Sequence, residues 1–204
     1  MHPETARSLI SERFRGYEVT CIYPGRAWQH EFVSALKQTC ERVFGYSLGA
    51  HLLLRASLDG TLVWDSLPPV TLLAPFYSLL AGEAPEGMVP RKELERLRQA
   101  FGRNSVGAVK AFYRFAGMKL PSPPEAWVVS HQTELAWGLD QLAAFPEHRS
   151  QAFPVFRKND NLRWGAADPL VNALEAKQAF GTGEVVSEAG HDLGQLISNS
   201  PKTP

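Results

Sequence analysis

The sequence has little cysteine, no surplus charge of either sign and no long apolar run. Only two of its 204 residues are cysteine. Cys21 lies in an apolar, strand-like run and Cys40 at a helix end, so the pair reads as two buried thiols and not as a disulfide framework. No Cys/His spacing suits a metal, so neither a metal ion nor another cofactor is expected. Lysine plus arginine and aspartate plus glutamate number 21 each, a balance that gives no global signal for nucleic acid. No stretch approaches the roughly 18 apolar residues that cross a bilayer. Met1-His2-Pro3-Glu4 lacks a basic segment followed by an apolar one. A cytoplasmic location without membrane association is therefore expected. There is no internal repeat and no low-complexity tract. What remains is ordinary globular composition, 44% hydrophobic and 21% charged, at a length that suits one domain with an inserted subdomain.

The chain begins with helical spacing. Ala6, Leu9, Ile10 and Phe14 share a face over 3–15, and Gly16 stops the pattern. Residues 17–23, Tyr-Glu-Val-Thr-Cys-Ile-Tyr, read as a buried strand ended by Pro24-Gly25. A helix fits Trp28 to Thr39. Val43-Phe44 then leads into Gly45-Tyr46-Ser47-Leu48-Gly49, with the helix former Ala50-His51-Leu52-Leu53-Leu54 directly after it. Val70 to Ala74 is a second strand-length run. From about 80 to 145 the strands stop, and three helices are expected over 91–101, 105–118 and 134–145, with bends at 82–90 and 121–124. Strand pattern resumes at Asn161–Gly165, followed by a helix over 169–179 and a strand over 184–187. Alternating strands and helices argue for a mostly parallel sheet with helical crossovers. The expected division is a core of 1–79 and 146–204 with a helical lid over 80–145.

Gly-x-Ser-x-Gly between a strand and a helix is the setting of a nucleophile elbow, in which glycines two before and two after the serine relieve a cramped turn. A serine hydroxyl is a weak nucleophile near neutral pH and needs a base, itself oriented by a carboxylate. Asp168 follows the strand ending at Gly165, and His191 follows the strand ending at Ser187. Ser47, Asp168 and His191 thus occupy strand ends in the order required. Other readings of these residues stand beside this one: Asp168 before Pro169 also fits a helix N-cap, His191 could be an ordinary loop histidine, and Asp160 is a rival acid, although it precedes its strand. His51 on the elbow helix reads as packing or surface, and His131 as a residue of the insertion away from any pocket.

Leu162-Arg163-Trp164-Gly165-Ala166-Ala167-Asp168-Pro169-Leu170-Val171 and Glu188-Ala189-Gly190-His191-Asp192 resemble the acid-loop and histidine-loop motifs of the α/β-hydrolase superfamily, and Tyr23-Pro24-Gly25 resembles the turn that ends its fourth strand. With the elbow and the long helical insertion, the chain resembles the carboxylesterase branch, the pimeloyl carrier-protein methyl ester esterases of the biotin pathway. The resemblance implies a shortened α/β-hydrolase fold with about five strands in place of eight. It also implies a serine nucleophile at Ser47 and an oxyanion donor at the Leu48 N–H; Tyr46, Phe112 and Tyr113 are expected as substrate contacts, although aromatic residues at helical spacing also fit plain core. The family's second oxyanion donor comes from a His-Gly loop that this chain lacks. Either residues 17–23 are the fourth strand and the earlier strands are missing, or they are the third and Pro24-Gly25-Arg26-Ala27-Trp28 is the oxyanion loop. The tail after His191 leaves little room for the usual closing helix.

Residues 91–119 carry eight basic residues against Glu93 and Glu95. Arg96, Arg103, Lys110 and Arg114 could steer an anionic acyl carrier protein to the site, although charged lid helices are also simply solvated. Phe112, Tyr113, Phe115, Trp127 and Trp137 could wall an acyl pocket. Two functions are in view: a serine esterase or thioesterase for small to medium acyl groups, and a catalytically weak protein of the same fold that binds an acyl ligand or carrier protein.

Overall fold

Val43-Phe44-Gly45-Tyr46 forms the first strand, and the fold is assembled on its carboxyl end. The structure, a computed structural model, describes residues 2–38, 40–119, 121–143 and 154–198. Within these, four short strands build one sheet: β1 (Val43–Tyr46), β2 (Val70–Leu73), β3 (Asn161–Gly165) and β4 (Glu184–Val186). They lie in chain order and every neighbouring pair is parallel. Parallel strands are covered on both faces, which is why β2 is buried at all four positions. The result is a mixed α/β fold on a parallel sheet.

The helices are α1 (Pro3–Arg13), α2 (Trp28–Leu36), α3 (Leu48–Leu58), α4 (Arg91–Arg103), α5 (Ser105–Phe115), α6 (Glu125–Ser130), α7 (Gln132–Ala143), α8 (Ala173–Phe180) and α9 (Leu193–Ser198). Elbow helix α3 buries Ala50, His51, Leu52, Leu53, Leu54 and Ala56. The segment expected as three helices holds four, because Glu125–Ser130 forms a turn and a half after Pro124. The expected boundary at 145/146 lies outside the described residues, as do the ends of the expected helices at Thr39 and Phe145.

Three expectations are corrected. Residues 17–23 are not a strand: they pair with no β-ladder, and Tyr17 is 55% exposed. Their apolar side chains find cover elsewhere. Tyr23, for example, packs edge-on against Trp127 of α6, ring centroids 5.2 Å apart. The sheet therefore has four strands among the described residues, with β1 and β4 at its edges. The closing helix does exist, as α9. Leu193, Leu196 and Ile197 pack in one cluster with Ala6, Leu9 and Ile10 of α1, so short length was offset by pairing with the first helix. Finally, the helix after Asp168 starts later than expected. Asn172 is its cap, accepting from the N–H groups of Leu174 and Glu175, and Gly181 closes it at φ +69°.

The 82–90 stretch, expected as a bend or hinge, is pinned in place. Glu86 is fully buried and its Oε1 accepts from the Tyr77 and Ser78 N–H groups at 2.7 and 3.3 Å. Its main-chain carbonyl accepts from Asn172 N at 2.8 Å, and Met88 N donates to Leu170 O at 3.1 Å. The loop after β2 thus buttresses the loop that carries Asp168.

No helix among the described residues is long and apolar enough to cross a membrane.

Candidate active site

Ser47 sits between β1 and α3 at φ +51°, ψ −117°. A non-glycine residue there stores backbone strain, which is expected where a tight turn must present a side chain. The turn is held by Ser47 N donating to Leu73 O at 2.9 Å and by His51 N donating to Ser47 O at 3.0 Å. Gly45 permits the close approach: a Cβ there would stand 2.9 Å from Ala50 Cα and from Leu72 Cδ2. Gly49 does not have this role, since a Cβ at that position would meet nothing within 4 Å. Only the first glycine of the motif is demanded by space.

Ser47 Oγ lies 2.8 Å from His191 Nε2, and His191 Nδ1 lies 2.7 Å from Asp168 Oδ2. His191 is 1% exposed and Asp168 5%. The other oxygen of Asp168 accepts from the N–H groups of Leu170 and Val171 at 2.8 and 3.2 Å, so the carboxylate holds its own turn as well as the imidazole. The rival acid, Asp160, is at the opposite end of β3. It accepts from Val70 N, Trp64 Nε1 and Arg157. Burial works to raise its pKa, but these hydrogen bonds prevail and hold the carboxyl below its ordinary value. Asp160 is a structural tie between β2, β3 and the turn at Trp64.

Three groups that sequence reading missed secure the histidine and acid loops. Gly165, at the end of β3, would place a Cβ 2.2 Å from the carbonyl oxygens of both Ala189 and Gly190, so only glycine lets the two loops meet. Asp192 accepts from Gly194 N and Gln195 N through Oδ1 and from Lys119 N through Oδ2 at 2.9 Å, tying α9 and the end of the α5 segment to His191. Glu86 supports the acid loop from below. Two of these could have been noticed, a glycine ending the acid strand and an aspartate after the histidine. Glu86 carried no signal in an apolar loop.

A cavity of about 580 Å³ opens beside Ser47. Tyr46, Leu48, Phe112, Tyr113 and Trp127 are on its wall together with His191. Tyr46 is more than a wall residue: its hydroxyl donates to His191 O at 2.6 Å, and burial pushes its pKa well above the ordinary value. Trp137 borders a separate surface hollow with Arg103, and Phe115 is 48% exposed, so neither walls this cavity. His131 stacks on Trp127 at 4.4 Å. Leu48 is the first residue of α3, where a main-chain N–H has no acceptor within the helix. Pro24 lines the cavity while Gly25, Arg26 and Ala27 do not; Gly25 backs onto Glu134 instead, its Cβ position 3.2 Å from Glu134 Cγ.

Of the four cations considered for carrier-protein contact, Arg96 is paired with Glu93 at 2.5 Å and Lys110 with Glu125 at 2.7 Å. The hydrogen bond from Lys110 holds Glu125 below its ordinary pKa. Arg103 and Arg114 are exposed and have no ion pair among the described residues. The described residues contain no group of three His, Cys, Asp or Glu placed to hold a metal, and both cysteines are free thiols.

No family model and no curated protein matches the chain. Among solved structures it is similar to a hydrolase from Oleispira antarctica, at 14% identity and a TM-score of 0.49, covering 78% of this chain and 60% of that one. It is also similar to an esterase from Exiguobacterium antarcticum, at 19% identity and a TM-score of 0.49, covering 79% and 63%. The chain spans less than two thirds of the length of either.

Proposed function

We propose that the protein is a serine hydrolase that cleaves a carboxylic ester or thioester of a small to medium acyl group. The observation that supports this most is the hydrogen-bonded chain Ser47–His191–Asp168, at 2.8 and 2.7 Å, opening on an apolar cavity from a strained strand-to-helix turn. In the proposed reaction, Ser47 Oγ attacks the acyl carbon while its proton passes to His191 Nε2. Asp168 keeps Nδ1–H oriented and stabilises the imidazolium. The Leu48 N–H faces the oxyanion. His191 then gives the proton to the departing alcohol or thiol, leaving an acyl-Ser47, and water attacks this ester by the same route in reverse. Helices α4–α7 act as the lid, with Phe112 and Tyr113 as acyl contacts.

With one main-chain donor identified, turnover should be modest, since a missing oxyanion donor costs roughly 100- to 1000-fold. The finer substrate, a methyl ester of a carrier-protein-linked acyl group, belongs to this proposal too. Of the four cations considered, Arg103 and Arg114 are exposed and without an ion pair among the described residues, and so are open to such a partner. Hydrolysis of p-nitrophenyl butyrate and hexanoate by the protein and by S47A tests the reading. The expected result is turnover that falls at least ~1000-fold in S47A. Equal rates for the two proteins would reject it, and binding of an acyl ligand without turnover would favour the non-catalytic alternative.

A further inference from the structure

Ser47 is not alone among the elbow residues in bonding to His191. Its neighbour Tyr46 donates from its hydroxyl to the main-chain oxygen of His191 at 2.6 Å, while Ser47 Oγ meets Nε2 of the same histidine at 2.8 Å. The Tyr46 and His191 rings lie 5.6 Å apart, tilted by 43°. Two consecutive residues of one turn thus hold the main chain and the side chain of one histidine, and the three residues close a ring. Only the serine's bond has to open when an acyl group is transferred.

The sheet gives the reason for such a tie. Its order is β1-β2-β3-β4, so Ser47 leaves one edge strand and His191 follows the other. Through the sheet, their separation is set by three successive pairings, none longer than four residue pairs, with a twist between each strand and the next. The end of β1 has no outer strand among the described residues and is held from the β2 side, where Ser47 N donates to Leu73 O at 2.9 Å. Tyr46 bypasses β2 and β3 and joins the two ends directly, across 145 positions of sequence. Other bonds of the histidine loop do not reach the elbow: Gly190 N donates to Gln195 Oε1 at 2.9 Å, and Asp192 Oδ2 accepts from Lys119 N at 2.9 Å. Burial first, then the charges of Asp192 and Asp168, hold the Tyr46 pKa well above its ordinary value, so the phenol keeps its proton and stays a donor at neutral pH. We propose that Tyr46 is a positioning residue whose hydroxyl fixes His191 against the elbow, keeping Nε2 within reach of Ser47 Oγ, and that this is its task in place of acyl recognition. This rests on the serine-hydrolase reading of the site and adds a residue to its machinery. A displacement of about 1 Å between reacting groups can cost on the order of 100-fold in rate, so a hydroxyl that touches no reacting atom can still act on kcat.

The test is Y46F, which deletes one oxygen and leaves the ring. Labelling of Ser47 by a fluorophosphonate supplies two quantities: the amplitude counts competent sites, and the rate constant reports how readily Ser47 is activated. Lost stability lowers the amplitude, whereas a displaced histidine lowers the rate constant. In Y46F the labelling rate constant, and kcat per competent site for p-nitrophenyl acetate, butyrate and octanoate, should all fall by a similar factor of at least ~5, with each KM within ~3-fold of wild type. A kcat within ~2-fold of wild type, a rise in KM alone, or a loss that grows with acyl length overturns the inference and leaves the hydrolase reading intact; the last two make Tyr46 a substrate contact. A Y46F chain with no competent site overturns it as well, because the hydroxyl is then a requirement of folding. If the wild-type protein turns over no ester and a fluorophosphonate leaves its Ser47 unmodified, the hydrolase reading itself has failed, and the inference with it.

Discussion

At the scale of single residues, the site is built from positions where one atom more would not fit. Gly45 and Gly49 stand symmetrically about Ser47 in the sequence and are unlike in space. A methyl group at Gly45 collides with the main chain of α3, whereas at Gly49 it points into open room. G45A should therefore cost about 1–3 kcal/mol, as overpacking does, and G49A should stay within about 0.5 kcal/mol of wild type; urea denaturation of the two variants checks this. Ser47, Asp168 and His191 were legible because each sits at the end of a strand with a local signature. The residues that hold them were less so. Gly165, Asp192 and Glu86 act through contacts more than twenty residues away in sequence, or through a loop whose path depends on the whole sheet. Composition gives no warning of such contacts.

Among the elements, the elbow helix carries a second chemical feature. His51, on α3, is 1% exposed, stacks on Phe76 and places Nδ1 3.2 Å from Phe76 O. Burial, helped by the Arg55 charge and opposed by the Phe76 and Gln141 main chains, lowers its pKa from 6.5 to about 4. The folded state thus refuses a proton that the unfolded chain accepts. This contribution to stability is present in full above pH 6.5 and is lost as the pH falls towards 4, an amount of about 3 kcal/mol. The urea midpoint of wild type, taken relative to that of H51Q, should fall as the pH drops from 7 to 4; parallel curves would contradict the assignment. Strand and helix periodicity located β1 to β4 and most helices to within a few residues. The failure at 17–23 is instructive. An alternating apolar run specifies burial, not pairing, and here the cover comes from α6 and the cavity wall. The late start of α8 has a similar cause, since Asp168 spends its second oxygen on the turn and leaves the cap to Asn172.

Over the whole molecule, four parallel strands suffice to hold three loops at one edge of the sheet, which is all that the Ser47–His191–Asp168 chain needs. β1 is one of the two edge strands and flanks the cavity, so the part of the site beyond it is walled by irregular chain and by helices where a larger sheet would supply strands. The overall class, a parallel α/β sheet with a helical insertion, could be read from the alternation of patterns and its interruption after β2. The number of strands could not, because it is decided by which extended segments find a partner. Charge behaves likewise: the basic excess over 91–119 is plain in the sequence, while the pairing of Arg96 and Lys110 with acids appears only in the fold. Catalysis by this small assembly depends most on whether it activates Ser47. Incubation of the folded protein with a fluorophosphonate, followed by intact-mass measurement and peptide mapping, asks this directly. One phosphonyl group should attach per chain, on Ser47, and be absent in S47A. A folded protein that remains unmodified, or that is modified elsewhere, would contradict it.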